Sequence, residues 1–210
     1  MNTNTKGLRA ALLGAVLALI GIAAPVQALD TTNIAFVQTM TGITSIPVGA
    51  AEFCNSRPDE CRPNAEVVAA VSLDEAKWQQ LLSINAGVNL AVVPVTDQDL
   101  YQVAEFWTYP NGYGDCEDIA LLKRRELINA GWPASTLLMA VVREANGNGH
   151  AVLLVRTDRG DLVLDNQVGS VDLWSDTPYT FLKRQSQASA GDWVDMIDTR
   201  QTVVATASIN

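Results

Sequence analysis

Three apolar runs, Thr136–Val142, His150–Thr157 and Asp161–Asp165, follow one another with only Ala145–Gly149 (ANGNG) and Asp158-Arg-Gly160 as turn spacers. Runs of this length and Val/Leu content read as strands, and spacers this short and polar read as hairpin connections. The block therefore predicts an antiparallel sheet. A helix over about 115–130 precedes it: Ala120, Leu121, Leu127 and Ile128 form its apolar side, Asp115 is a suitable N-cap, and Gly131 and Pro133 supply the stop. Further upstream, Ser72-Leu-Asp-Glu75 has the form of a capping box and opens a helix over about 73–85. Ala86-Gly87 is expected to loosen that helix, and Pro94 to break it. Residues 29–64 read as loop, 95–115 as loop with short helical pieces, and Trp193–Asp198 as a further strand before a polar tail after Thr199. Helices first and antiparallel strands after predict an α+β domain.

The N-terminus is different in kind. Lys6 and Arg9 precede the wholly apolar stretch Ala11–Ala24, which Pro25 ends, and Val26-Gln-Ala28 puts small residues before an expected cut. That is the layout of a secretory signal over 1–28, with an uncleaved anchor as the rival reading. Fourteen residues are short for a span, which takes about 20. The expectation is a periplasmic or secreted protein with one domain over 29–210, its core over about 65–200, and no membrane insertion after cleavage. Losing Lys6 and Arg9 takes the net charge from −9 to −11. So acidic a chain argues against nucleic acid as a partner. With 48% hydrophobic residues it is not a disordered chain either.

Three cysteines and one histidine bound the chemistry. They exclude four-cysteine and multi-histidine metal sites. In an oxidising compartment, Cys54 and Cys61, separated by the turn-rich Asn-Ser-Arg-Pro-Asp-Glu, are expected to bridge each other; two separate buried thiols are the alternative. Cys116 is then the free thiol. It sits at a helix start, where the dipole and unpaired N–H groups favour thiolate. His150 opens the next-but-one segment as a strand, and Asp165 ends the strand after it. His150 lies eight residues before the Asp158-Arg-Gly160 turn and Asp165 five after it, so pairing is expected to bring them opposite or diagonal. A thiol, a base to take its proton and a carboxylate to orient the base make up a nucleophilic triad. The plainer alternative is a buried structural cysteine and an exposed loop histidine.

The neighbours of Cys116 oppose this. Asp115, Glu117 and Asp118 should raise the thiol's pKa. A bound Ca²⁺ would reverse the effect, with carbonyls of Asn111–Gly114 completing its shell. Ordinary capping of the helix by acids is the other explanation.

Gly114-Asp-Cys-Glu-Asp-Ile-Ala120, Leu127–Pro133 (LINAGWP), Gly149-His-Ala-Val-Leu-Leu154 and Leu162-Val-Leu-Asp-Asn166 together resemble the bacterial transglutaminase-like cysteine proteinases, periplasmic proteases of the LapG type. The resemblance covers roughly 70–200. It implies a papain-like transglutaminase-core fold, with a catalytic Cys at a helix N-terminus packed on an antiparallel sheet that carries His and Asp. It matches Cys116 to the nucleophile, His150 to the base and Asp165 to the orienting acid. It also matches Asp115, Glu117 and Asp118 to positions at which members bind calcium. It implies a protein substrate, a large surface adhesin cut near a di-alanine site in biofilm control, and a cyclic-di-GMP-responsive inner-membrane receptor as regulator. A transglutaminase or deamidase reaction on the same triad, or a non-enzymatic binding module of the same fold, are the alternatives. The second oxyanion donor is not assigned by the residues; Trp107, Tyr109 and Asn111 lie in the preceding loop.

Overall fold

The computed structural model describes residues 35–198, together with Met1 and Arg200. The leader expected over 1–28 and the tail after Thr199 lie outside the described residues, except Arg200. The chain divides into two units, 1–31 and 32–210, and all that follows concerns the second.

Its helices are α1 (Val48–Ser56), α2 (Glu75–Ala91), α3 (Asp97–Tyr101) and α4 (Cys116–Asn129). Its strands are β1 (Gln38–Thr39), β2 (Val93–Pro94), β3 (Tyr113–Gly114), β4 (Leu137–Arg143), β5 (Gly149–Thr157), β6 (Gly160–Leu164), β7 (Asp172–Leu173), β8 (Thr180–Gln185) and β9 (Trp193–Ile197). Seven strands form one sheet in the order β1-β9-β8-β4-β5-β6-β7. Every neighbouring pair in it is antiparallel. The short strands β2 and β3 pair in parallel beside α4.

This is the expected α+β architecture, and each of the three runs that predicted hairpins forms its strand within a residue. β4 and β5 are apolar at nearly every position because both faces of the sheet are covered. One face packs Met139, Leu153, Val155 and Leu164 against Leu121 and Leu127 of α4 and Leu81 of α2. The other buries Leu138, Ala140, Val152 and Leu154 against Trp174, Tyr179 and Phe181.

Three local readings need correction. The helix expected over 73–85 is α2, and it runs on to Ala91 through Ala86-Gly87. Packing of Ile84 and Val88 on α4 outweighs the glycine's weak propensity of about 1 kcal/mol. Its N-cap is Asp74, which accepts from the Lys77 N–H; Ser72 instead bonds Asp158 in the β5–β6 turn. The 29–64 segment is not all loop: it contains β1, α1 and a 3-10 turn at Pro58–Cys61. Cys54 and Cys61 are bridged, with Cα atoms 5.5 Å apart.

Lys123 is the odd residue of α4. It is fully buried, and its ammonium has no hydrogen-bond partner among the described residues. Burial holds its pKa down to about 7, with Asp165's charge pulling the other way. Between that value and the 10.5 of a free lysine, the folded chain binds fewer protons than the unfolded one. Stability therefore falls as pH drops through that interval, and the cost persists below it. Lys123→Met should remove the cost, with a gain of about 1–4 kcal/mol at pH 6 that shrinks by pH 9. Urea unfolding at the two pH values measures it, and a less stable variant at pH 6 would refute it.

Candidate active site

The sheet register decides which side chains meet. β5 pairs with β6 through Leu153↔Leu164, and carrying that register on places His150 diagonal to Asp165. The His150 Nε2 lies 2.8 Å from Asp165 Oδ1, with both side chains almost wholly buried. Asp165 also accepts from the Gln167 backbone N–H at 3.0 Å and, on its other oxygen, from the Tyr179 hydroxyl by a short bond. Burial raises the Asp165 carboxyl, but the hydrogen bonds from His150, Tyr179 and Gln167 outweigh it and hold the group below the usual carboxylate value. Asp165 is thus an anion, and the Nε2 facing it carries hydrogen. That leaves Nδ1, 3.4 Å from the Gln167 amide nitrogen, as the imidazole's acceptor nitrogen.

Cys116 is the first residue of α4, directly after β3. Gly114 permits this approach, since a Cβ there would lie 2.8 Å from Asp118 Oδ2. The Cys116 Sγ receives a hydrogen bond from the backbone N–H of Ala151, the residue after His150. Thiol and imidazole therefore share one cleft of about 390 Å³, walled by Pro47, Val48, Trp107 and Val141. The thiol's own hydrogen is directed to Glu117 Oε2 at 3.1 Å, not to His150. Burial first, then the charge and hydrogen bond of Glu117, push the thiol well above its ordinary pKa. Of the three flanking acids, Glu117 and Asp115 add to this rise, which burial leads.

The acids themselves are mostly buried. Burial and the neighbouring Asp115 charge raise Glu117 far above a normal carboxyl. Asp118 is pushed up to about 8 by burial, against the pull of the Thr108 N–H, which it accepts at 2.7 Å. Asp115 occupies the N-cap position of α4 but makes no cap; its Oδ2 accepts from the Asp97 N–H at 3.3 Å. One residue missed by sequence reasoning joins them: Asp97, at the start of α3, raised to about 6 by burial and by the Asp115 and Glu105 charges. The carboxylate oxygens of Asp97, Asp115 and Glu117 lie within 4.8 Å of one another, while Asp118 is not in this group. One oxygen each of Asp97, Asp115 and Asp118 is buried with no partner among the described residues. Orphaned hard-oxygen donors around a shared centre are what a divalent cation such as Ca²⁺ requires, so these residues fit one.

Tyr179 and Gln167 were also missed: Tyr179 lies 14 residues beyond Asp165 with no local tie to it, whereas the Gln167 N–H bonds the Asp165 side chain two residues back, a local turn pattern that an Asp invites. Of the loop residues considered as oxyanion donors, Trp107 lines the cleft and donates its indole N–H to Glu105. The Tyr109 ring instead packs against Phe53 and Arg125.

A family model described as bacterial transglutaminase-like cysteine proteinase matches residues 40–201. No curated protein matches the chain. Among solved structures, calcium-bound LapG of Legionella pneumophila is 23% identical, with a TM-score of 0.47 over 54% of this chain and 66% of that one. The EGTA-treated form of the same protein gives 23%, 0.48, 59% and 73%. The chain thus spans just under two thirds of calcium-bound LapG.

Proposed function

The chain belongs to the bacterial transglutaminase-like cysteine proteinases and is a cysteine peptidase, and from that premise we propose that Cys116, His150 and Asp165 are its triad. The observation that carries this reading is the bond at 2.8 Å to Asp165 made by His150, which lines the same cleft as Cys116.

In this mechanism His150 Nδ1 takes the Sγ proton, and the sulfur attacks the peptide carbonyl carbon. The Cys116 N–H, free at the helix start, donates to the oxyanion. The C–N bond then breaks, the imidazolium gives its proton to the departing amine, and a thioester remains. Water, deprotonated by His150, attacks the thioester and releases the acid and the thiol. Asp165 keeps Nε2–H turned towards itself, so that Nδ1 faces the sulfur and the imidazolium is stabilised.

The proposal includes a Ca²⁺ held by Asp97, Asp115 and Glu117, with Asp118 bracing the loop behind them. When bound, the ion supplies positive charge beside the thiol. A Glu117 carboxylate engaged in that way would not accept the thiol's hydrogen, which would leave Cys116 to His150. Family membership extends the proposal to a periplasmic site of action, a surface adhesin as substrate and a cyclic-di-GMP-responsive membrane receptor as regulator.

Alkylation by iodoacetamide tests the triad without any substrate. Cys116 should react selectively, with a pH-dependent rate that His150→Ala lowers at least tenfold near neutral pH. Equal rates in the two proteins would remove His150 from the mechanism. Adding a primary amine during cleavage of an adhesin fragment separates hydrolysis from acyl transfer.

A further inference from the structure

Two of the residues that line the cleft with Cys116, Pro47 and Val48, come from the N-terminal segment 44–61 and not from the helix–sheet core. Both ends of that segment are pinned to the far edge of the sheet. The Thr44 N–H donates to the Trp193 carbonyl at 2.7 Å, Lys183 Nζ donates to the Ser45 carbonyl at 2.9 Å, and Pro63 bridges Ser189. Between these anchors α1 crosses to the site and presents Pro47 and Val48 to the cleft. Gly49 seats directly on the Trp107 indole: a Cβ there would fall 2.3 Å from Trp107 Cδ1.

The loop closed by Cys54–Cys61 holds this arrangement from behind. It contains Arg57, whose Nη2 donates to Thr108 Oγ1 at 3.2 Å and whose guanidinium lies 5.3 Å from the Phe53 ring centre and 5.7 Å from that of Tyr109. It also contains Glu60, hydrogen-bonded to the Tyr109 hydroxyl. The loop therefore grips residues 108 and 109, next to Trp107 in the cleft wall, and Thr108 in turn holds Asp118. The closed loop is eight residues long, and opening the bridge loosens the backbone that carries Arg57 and Glu60.

We propose that the segment 44–61 is the second wall of the peptide-binding cleft, and that the Cys54–Cys61 bridge holds it at the width at which a substrate chain is gripped beside Cys116. This rests on Cys116 being the nucleophile. Gly49, Arg57 and the two bridged cysteines are positioning residues; none of them touches the reacting atoms. A wall of this kind acts first on substrate capture.

Two alkylating agents separate those effects in the mature protein. Iodoacetamide is small and reports the thiol. Acetyl-Ala-Ala chloromethyl ketone must lie along the cleft as a peptide does, and its rate saturates with concentration. In the Cys54→Ser/Cys61→Ser double variant, the half-saturating concentration of the peptidyl reagent should rise about tenfold or more. Its limiting rate and the iodoacetamide rate should stay within about twofold of the parent. Gly49→Ala, which keeps the bridge but forces the indole to move, should show the same split. An unchanged half-saturating concentration in both variants would overturn the proposal. So would a parallel fall of both reagents' rates, since the bridge would then only support the fold. If iodoacetamide leaves Cys116 untouched in the parent, the nucleophile assignment fails, and the wall's role in peptide capture fails with it.

Discussion

Asp165→Asn is expected to lower turnover of a fluorogenic Ala-Ala-containing peptide by three to four orders of magnitude while the protein stays folded. The carboxylate accepts from His150, Tyr179 and the Gln167 N–H, and these bonds keep it ionised despite its burial. An amide in its place keeps the shape but puts an NH₂ or a neutral oxygen against Nε2. The first arrangement selects the wrong tautomer and leaves Nδ1–H pointing at the sulfur; the second no longer stabilises the imidazolium. Losses of about 10⁴ are known for such a change in a catalytic triad. Tyr179→Phe removes one of three donors and should cost about tenfold at most. Steady-state kinetics with a thermal-melt control measure both. An Asp165→Asn enzyme within tenfold of the parent would leave the carboxylate a structural role only.

The second large effect is on stability and activity together, through the acidic cluster. Asp97 and Asp118 have folded pKa values of about 6 and about 8, and Glu117 is shifted the same way, all from burial foremost. Without a cation, the folded chain thus binds more protons than the unfolded one above the ordinary carboxylate range of about 4. Stability then falls as pH rises from about 4 to 8, and the loss is complete only above the folded values. A cation binding the ionised carboxylates cancels the loss. Ca²⁺ at 100 times its Kd adds about 2.7 kcal/mol, which is about 5–10 °C in Tm for a domain of this size. The shift should be large at pH 8 and small at pH 5, where protons compete for the same oxygens. Chelation with EGTA at pH 8 should abolish peptide cleavage and calcium should restore it. Asp97→Asn should weaken both responses. A Tm insensitive to calcium at pH 8, with activity surviving chelation, would leave the cluster without a metal.

The site was legible in the sequence to the extent that it lies in consecutive elements. Cys116, His150 and Asp165 fall within one helix-and-hairpin stretch, where the 3.6-residue period, the turn residues and the count to the hairpin centre fix their positions. Residues that arrive from elsewhere were not legible. Asp97 precedes Asp115 by a loop whose path no periodicity describes. Tyr179 reaches Asp165 only because the sheet folds a later segment beneath it. The α1 helix was read as loop because its weakly amphipathic stretch of small residues gives no strong repeat; the contact that holds it is with Trp107, distant in sequence. The side chain of Asp115 was expected to cap α4, and it accepts from the Asp97 backbone N–H instead, a partner 18 residues away that no local pattern announces.

The pairing of β1 with β9 has a consequence for how the protein comes into being. The polypeptide leaves the ribosome N-terminus first, yet among the described residues β1 pairs with β9 alone, about 155 residues later in the chain. Cys116, His150 and Asp165 can come together from a contiguous middle stretch, whereas Thr44 and Pro63 must wait for Trp193 and Ser189. Contacts so far apart along the chain form late, because a long loop has to close first. The contacts that seat segment 44–61 therefore need a chain made at least as far as Trp193, whereas those between His150 and Asp165 need only the hairpin that carries them.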